Sequence, residues 1–282
     1  PVTATLTGVS VRIGLIVNPT AGKNTGATVG DEAIRLLRGC GHDLLDLSAD
    51  TAAGARARAS AAIAAGDIDR LVVAGGDGMV HLGVNLCAGT GVPLGIVASG
   101  TGNDIARELG LPVGDPAAAV ARIHAGDPRP IDAVSLTAGG GEAGWFAGVL
   151  AGGFDALVNE RANQWAWPRG QMRYNLAILR ELPGFRAIPY RLTLDGTPVE
   201  TEAMLVAVAN GPAYGGGMKV VPTAVFDDGL LDVLVLSRIS IPEFLRVFPK
   251  VFSGGHVDHP AVTIHRARSV RLEAAGIVGY AD

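Results

Sequence analysis

LVVAGGDGMVHLGVN, residues Leu71 to Asn85, decides the fold. The apolar run Leu71, Val72, Val73 and Ala74 stops at Gly75-Gly76-Asp77-Gly78, and an amphipathic segment with Val80, Val84 and Leu86 follows. This reads as a buried strand, a tight glycine turn and the start of a helix. Glycine lets a ligand come close to the backbone. A helix start offers unpaired N–H groups at the positive end of a dipole, which suits phosphate. Asp77 is the discordant member. A carboxylate repels phosphate unless a cation lies between them, so the tetrapeptide points to phosphate plus metal. The competing reading is an ordinary strand–helix turn with Asp77 as its cap.

The same grammar runs outward from this stretch. Upstream, Val11 to Val17 is a strand stopped by Asn18-Pro19-Thr20-Ala21-Gly22-Lys23, which lacks the spacing of a Walker loop. A helix over 27–37, a strand over 44–48 and an alanine-rich helix over 51–65 come next. Downstream, Pro93 to Val97 is a fourth strand, punctuated by Ser99-Gly100-Thr101-Gly102-Asn103-Asp104. A helix over 105–109 follows, with Asn103 or Asp104 as N-cap, and Pro116 opens another. Strands alternating with helices predict an open, mostly parallel α/β sheet, in which ligands bind beyond the carboxyl ends of the strands. Asn18, Ser48, Gly76 and Thr101 all fall there.

Near Pro128-Arg129-Pro130 the pattern changes to strands with short turns: 145–150, 188–194, 204–209, 231–236 and 270–272. Ile188, Tyr190, Leu192 and Leu194 alternate with Pro189, Arg191 and Thr193, and Asp195-Gly196 signals a hairpin. Helices are expected over 173–182 and 242–252. The domains expected are 1–130, an α/β unit, and 131–282, a β-rich sandwich.

Composition sets the bounds. The 282 residues suffice for two cores. With 48% apolar and 18% charged residues and a net charge of −4, the chain is ordered, and it lacks the basic excess of a general nucleic-acid binder. Two cysteines without a CxxC pair fit a reducing compartment. No apolar run reaches the roughly 18–20 residues of a membrane span, and the first residues do not read as a signal peptide. A cytoplasmic location is the expectation.

Asn18-Pro19-Thr20-Ala21-Gly22-Lys23, Gly75-Gly76-Asp77-Gly78, Gly100-Thr101-Gly102-Asn103-Asp104 with Ala106-Arg107, and Asp228-Gly229-Leu230-Leu231-Asp232-Val233 occur in that order. Together with Gly211 to Gly217 and Tyr280-Ala281-Asp282, this set resembles the diacylglycerol kinase catalytic-domain family, which includes bacterial lipid kinases and sphingosine kinases and is more distantly related to NAD kinases. The resemblance implies an α/β nucleotide-binding domain and a β-sandwich with ATP in the cleft between them. Its nucleotide contacts would be Asn18, Pro19, Thr20, Ala21, Gly22, Ser48, Gly75, Gly76, Asp77, Gly78, Met79, Val80, His81, Leu82 and Thr101. It puts Mg²⁺ on the Asp228 carboxylate with the carbonyls of Val225 and Leu230, a hard-oxygen set. Asp77 and Asp104 would extend a carboxylate network to the phosphates, and Asp282 would be the general base.

Two departures stand out. Met79 replaces the usual Thr, and His81-Leu82 replaces Asn-Glu. The family continues past the position of Asp282 with Gly-Glu and a return segment, so a longer natural protein is expected. Expected partners are a diacylglycerol substrate, the membrane surface contacted transiently at its periphery, and a second copy if the chain forms a homodimer; nucleic acid is not among them. Trp165, Trp167, Arg169, Arg173, Tyr174, Arg180 and Phe185 suit a membrane interface, against the alternative of a packed helix with a solvated arginine face. His256-Val257-Asp258-His259 reads as a surface turn rather than a metal pair. Rival functions are phosphorylation of another lipid alcohol (a sphingoid base or glycolipid precursor) and a non-catalytic nucleotide or lipid sensor.

Overall fold

The computed structural model describes residues 10–18, 26–153, 180, 186–276 and 279–281. Contacts divide the chain into two units, 1–145 and 146–282. Four parallel strands organise the first: β1 (Arg12–Val17), β2 (Asp43–Asp46), β3 (Arg70–Gly75) and β4 (Leu94–Ala98), in the order β2-β1-β3-β4. Parallel strands covered on both faces need unbroken apolar runs; accordingly Leu71, Val72, Val73 and Ala74 are each at most 1% exposed. The connecting helices are α1 (Gly26–Gly39), α2 (Ala52–Ala65), α3 (Asp77–Cys87), α4 (Asp104–Glu108) and α5 (Pro116–Ala125). Their ends follow local chemistry. The Thr51 hydroxyl accepts the Gly54 amide at 3.1 Å to open α2, and left-handed Gly66 closes it. Ile13, Leu15, Leu37, Val72, Val97 and Val120 form one core across sheet and helices.

Strand register brings the loops together. Val17 pairs with Ala74 and Gly75 with Ala98, so the chain leaves β1, β3 and β4 at the same edge of the sheet. Each element expected between 11 and 123 is present, with ends shifted by a residue or two. A hairpin of β5 (Val134–Ala138) and β6 (Gly141–Phe146) was not foreseen. Asn85 of α3 holds its end: the Asn85 amide donates to the Trp145 carbonyl at 2.8 Å and accepts the Trp145 N–H at 3.0 Å.

The second unit is an antiparallel sheet built on β9 (Thr197–Ala209). One edge of β9 pairs with β8 (Ile188–Leu194) and then β7 (Val149–Gly153), and the other with β10 (Leu231–Ser237). Strands β11 (Val262–Ala267), β12 (Val270–Ala274) and β13 (Gly279–Ala281) extend it beside β10, β8 and β7. Asp195 and Gly196 both have positive φ, 48° and 84°, as the two-residue hairpin turn requires. The Asp195 carboxylate also accepts the Ser269 amide at 2.8 Å, fastening β12 to the turn.

Two expected elements change form. The strand over 145–150 is two strands, broken at Ala147-Gly148, where the Gly148 carbonyl accepts the Asn210 and Gly211 amides instead of continuing a ladder. The helix over 242–252 is α6 (Ile241–Val247) followed by a 3₁₀ turn, Phe248–Phe252. Pro249 has no N–H to give the Leu245 carbonyl, so the α-ladder cannot persist. The helix expected over 173–182, and the aromatic–arginine set except Arg180, lie outside the described residues.

Two buried histidines, His42 and His256, make stability depend on pH. His42 is 5% exposed; its Nε2 faces Nδ1 of His124 at 3.0 Å and its Nδ1 accepts the Val11 amide at 3.4 Å. Burial, then His124 and Arg70, lower its pKa. In the second unit burial likewise lowers that of His256, against the opposing Val220 carbonyl and Asp258. The unfolded chain therefore takes up protons near the ordinary value of about 6.5, where the folded chain does not. Stability should be full above that value and fall as pH drops below it. Urea midpoints at about pH 7.5 and about pH 5.5 should show the decline, and His42→Gln should shrink it.

Candidate functional site

The glycine turn after β3 and the one after β4 meet backbone to backbone. A Cβ on Gly76 would lie 3.0 Å from the Gly100 Cα, and one on Gly100 would lie 2.3 Å from the Gly76 Cα. No side chain fits at Gly100 without moving the main chain. Asp77 locks this contact. Its Oδ2 accepts the Asn103 amide and its Oδ1 the Asp104 amide, both at 2.7 Å. Asn103, in left-handed conformation at φ 56°, turns its own side chain back on Gly100: Oδ1 accepts the Gly100 N–H and Nδ2 donates to the Gly100 carbonyl, each at 2.8 Å.

Asp77 thus caps a helix, though not its own. The Asn103 side chain makes no capping bond to α4, and the carboxylate of the neighbouring turn takes those amides instead. Both readings of Asp77 offered by the sequence bear on this geometry. The cap is present, and each carboxylate oxygen already holds one backbone donor. Asp104 is 5% exposed and Asn103 2%, so both belong to the turn's interior. The Ser99 hydroxyl, at the end of β4, is buried without a hydrogen-bond partner.

Around this clamp the other expected contacts fall as follows. The Asn18 amide donates to the Ala74 carbonyl at 3.0 Å, and the Ser48 hydroxyl accepts the Val17 amide at 3.0 Å, which puts both beside the ends of β1 and β3. Gly78 is exposed, with nothing within 4 Å of where its Cβ would stand. Met79 lies over Gly75: a Cβ there would meet the Met79 Cγ at 2.4 Å. Val80 and Leu82 are core residues, 1% and 6% exposed, so their side chains face the sheet and only their backbone is available to a ligand. His81 is part-buried, its Nε2 3.2 Å from Asn85 Nδ2. Thr101 is exposed on the second turn. Pro19, Thr20, Ala21, Gly22 and Asp282 lie outside the described residues.

In the second unit, Asp228 accepts the Leu230 amide on Oδ1 at 3.0 Å and an Arg266 N–H on Oδ2. Arg266 also reaches Asp232 Oδ1 at 3.2 Å. Asp232 is 2% exposed; burial raises its carboxyl pKa, Arg266 opposes this, and Asp228 adds to the rise. One guanidinium therefore serves two carboxylates, and Val225, expected to lend a carbonyl, is a surface residue. As arranged, this donor set does not fit a bound Mg²⁺: the arginine stands on the carboxylate that would ligate it. Among the described residues no group of three or more His, Cys, Asp or Glu is placed to hold a metal ion. His256 and His259 part company: His256, expected on a surface turn, is buried with its Nε2 on the Val220 carbonyl at 2.9 Å, and His259 Nε2 meets Glu243 at 3.3 Å.

Sequence reasoning passed over Arg266 and the real work of Asn103. Arg266 lies opposite Asp232 on β11, a strand the pattern did not announce, so nothing local linked it to the Asp228–Asp232 segment. The signal for Asn103 was present, since a non-glycine residue in left-handed conformation is most often Asn or Asp.

The geometry defines a class: an α/β unit whose glycine turns offer bare backbone beyond parallel strands, followed by an antiparallel sheet unit. The model for the diacylglycerol kinase catalytic domain matches residues 12–136, and that for the YegS C-terminal NAD kinase beta sandwich-like domain matches residues 148–282. A diacylglycerol kinase of Mycobacterium tuberculosis is 40% identical over 272 residues, covering 96% of this chain and 88% of its own length. The Bacillus subtilis diacylglycerol kinase is 28% identical, covering 94% and 86%. A solved diacylglycerol kinase structure from Bacillus anthracis has the same fold, with a TM-score of 0.71 at 23% identity over 97% of this chain and 90% of its own. A further solved chain from that organism matches with a TM-score of 0.75 at 26% identity, over 96% and 90%. The chain belongs to the diacylglycerol kinase family and is an enzyme of its lipid kinase class.

Substitutions in the clamp should separate packing from ligand approach. Asp77→Ala strands two amides and should cost about 2 kcal/mol or more. Gly100→Ala forces backbone apart and should cost at least about 1–3 kcal/mol. Gly78→Ala, in open space on a helix, should leave stability unchanged or raise it by up to about 1 kcal/mol. Chemical denaturation of the three variants beside the parent checks the order.

Proposed function

We propose that the protein transfers the γ-phosphate of ATP to the hydroxyl of diacylglycerol, giving phosphatidic acid. The observation that carries this reading is the backbone contact of the two glycine turns, Gly76 against Gly100, at the carboxyl ends of β3 and β4. It leaves main-chain N–H groups of α3 and open space at Gly78 where a phosphate can come close. The buried, unpartnered Ser99 hydroxyl at the same turn is a further group suited to a polar ligand. In this reading Asp77 fixes the cradle, and Thr101 supplies a hydroxyl at its rim. Mg²⁺ enters with the nucleotide, charge-matched to its phosphates as in phosphoryl transfer generally. The diacylglycerol is met at a membrane surface, contacted transiently from the cytoplasm.

Asp282 is assigned the role of general base. It follows Tyr280 and Ala281 at the end of β13, and a lipid hydroxyl needs an acceptor for its proton as attack proceeds. A reading as a non-catalytic sensor draws on Met79 and Leu82, but both are explained by packing: one covers Gly75 and the other fills the core.

The test is incubation of the protein with labelled ATP, Mg²⁺ and a panel of lipid alcohols. Labelled phosphatidic acid is the expected product; labelling of a sphingoid base in its place would move the acceptor, and no labelling would favour the sensor. Gly78→Ala should weaken ATP binding by calorimetry without loss of fold. Asp282→Asn should keep ATP affinity and lose on the order of 10²–10⁴-fold in turnover.

A further inference from the structure

A helix on the surface of a globular unit turns its apolar side inward and its polar side to water. The segment formed by α6 and its 3₁₀ continuation does not. Phe244, Val247 and Val251 face the core, each 7–8% exposed. Ile241, Leu245 and Phe252 nevertheless stand out at 39%, 44% and 40% exposure, the first two one turn apart on a single face of α6 and Phe252 on the 3₁₀ turn that continues it. Pro242 and Pro249, also exposed, widen it. Arg246 and Lys250 border it, both exposed. The segment's one acid, Glu243, is turned aside: it closes the capping box with Ser240 and meets His259 Nε2 at 3.3 Å. An outward apolar stripe flanked by two cations, with the segment's one acid engaged by Ser240 and His259, has the make-up of an element that lies in a lipid interface, its rings and aliphatic groups among the acyl chains and its cations at the headgroups.

We propose that this face of α6 and Phe248–Phe252 docks the protein on an anionic bilayer. Charge decides the occupant. A second copy of the chain packed about a two-fold axis would bring Arg246 and Lys250 to the same interface as their own counterparts, whereas anionic headgroups complement both. The choice of a bilayer rests on the proposed lipid kinase function; the stripe itself does not.

Vesicle co-sedimentation without nucleotide tests the surface apart from the chemistry. The full chain should sediment with vesicles of phosphatidylcholine mixed with phosphatidylglycerol more than with phosphatidylcholine alone. The variant Leu245→Gln with Phe252→Gln should lose on the order of tenfold or more of that partitioning. Arg246→Gln with Lys250→Gln should lose about tenfold on the anionic vesicles and little on the neutral ones. Phosphorylation of a dispersed short-chain diacylglycerol should be unchanged in both variants. Parent-like vesicle binding by both variants, or no binding by the parent, overturns the proposal. So does a shift from dimer to monomer in analytical sedimentation with vesicle binding intact, which would make the stripe an interface between copies. If the Leu245 and Phe252 variant fails to fold, the cation variant decides, since Arg246 and Lys250 are exposed. Absence of phosphorylation of any lipid alcohol by the parent, with vesicle binding present and lost as expected, would remove the proposed function and support the surface.

Discussion

Everything at the candidate site depends on two glycine turns touching through their main chains. Side chains normally keep successive βα turns apart; here their absence lets Gly76 and Gly100 come within van der Waals distance, and the loops after β3 and β4 become one surface. Close approach alone would leave the amides at the start of α4 facing a carboxylate-free turn. Asp77 removes that cost by accepting the Asn103 and Asp104 amides at 2.7 Å each. Charge-assisted hydrogen bonds of this kind are about twice as strong as neutral ones. The carboxylate that is awkward beside phosphate is what holds the two turns together.

The second unit uses charge in the opposite sense. Burial opposes the ionisation of Asp232, and Asp228 beside it adds to this. Arg266, opposite Asp232 on the neighbouring strand, offsets both through one planar fork. Its position is set by antiparallel register, so β11 supplies the charge balance as well as an edge of the sheet.

How far the sequence carried the argument follows from the range of the interactions involved. The parallel sheet was legible because burial on both faces forces unbroken apolar runs such as Leu71 to Ala74, a local pattern. The Asp195-Gly196 hairpin was legible because its turn needs two positive φ values. The diacylglycerol kinase resemblance was legible because its segments keep their order along the whole chain. What escaped was non-local. Asp77 serves a helix 26 residues downstream of it, and Arg266 lies 38 residues beyond Asp228. The β5–β6 hairpin, made of mostly exposed residues, has no periodicity strong enough to announce it.

The outward stripe of α6 illustrates the same limit from the other side. In sequence, Ile241-Pro-Glu-Phe-Leu-Arg-Val247 is apolar nearly all round, and such a segment is ordinarily a buried core helix. Only the structure divides its apolar residues between two faces, by showing which of them the sheet takes up. Phe244, Val247 and Val251 are taken up by the core, while Ile241, Leu245 and Phe252 keep 39–44% of their surface in water, Phe252 packing edge-on against Phe248. The area they still expose would be relieved in an acyl layer, at roughly 25 cal/mol for each Å² removed from solvent. Under the proposed function the acceptor resides in a bilayer, and that exposed apolar area would then be a means of reaching it, with Arg246 and Lys250 biasing it toward anionic surfaces.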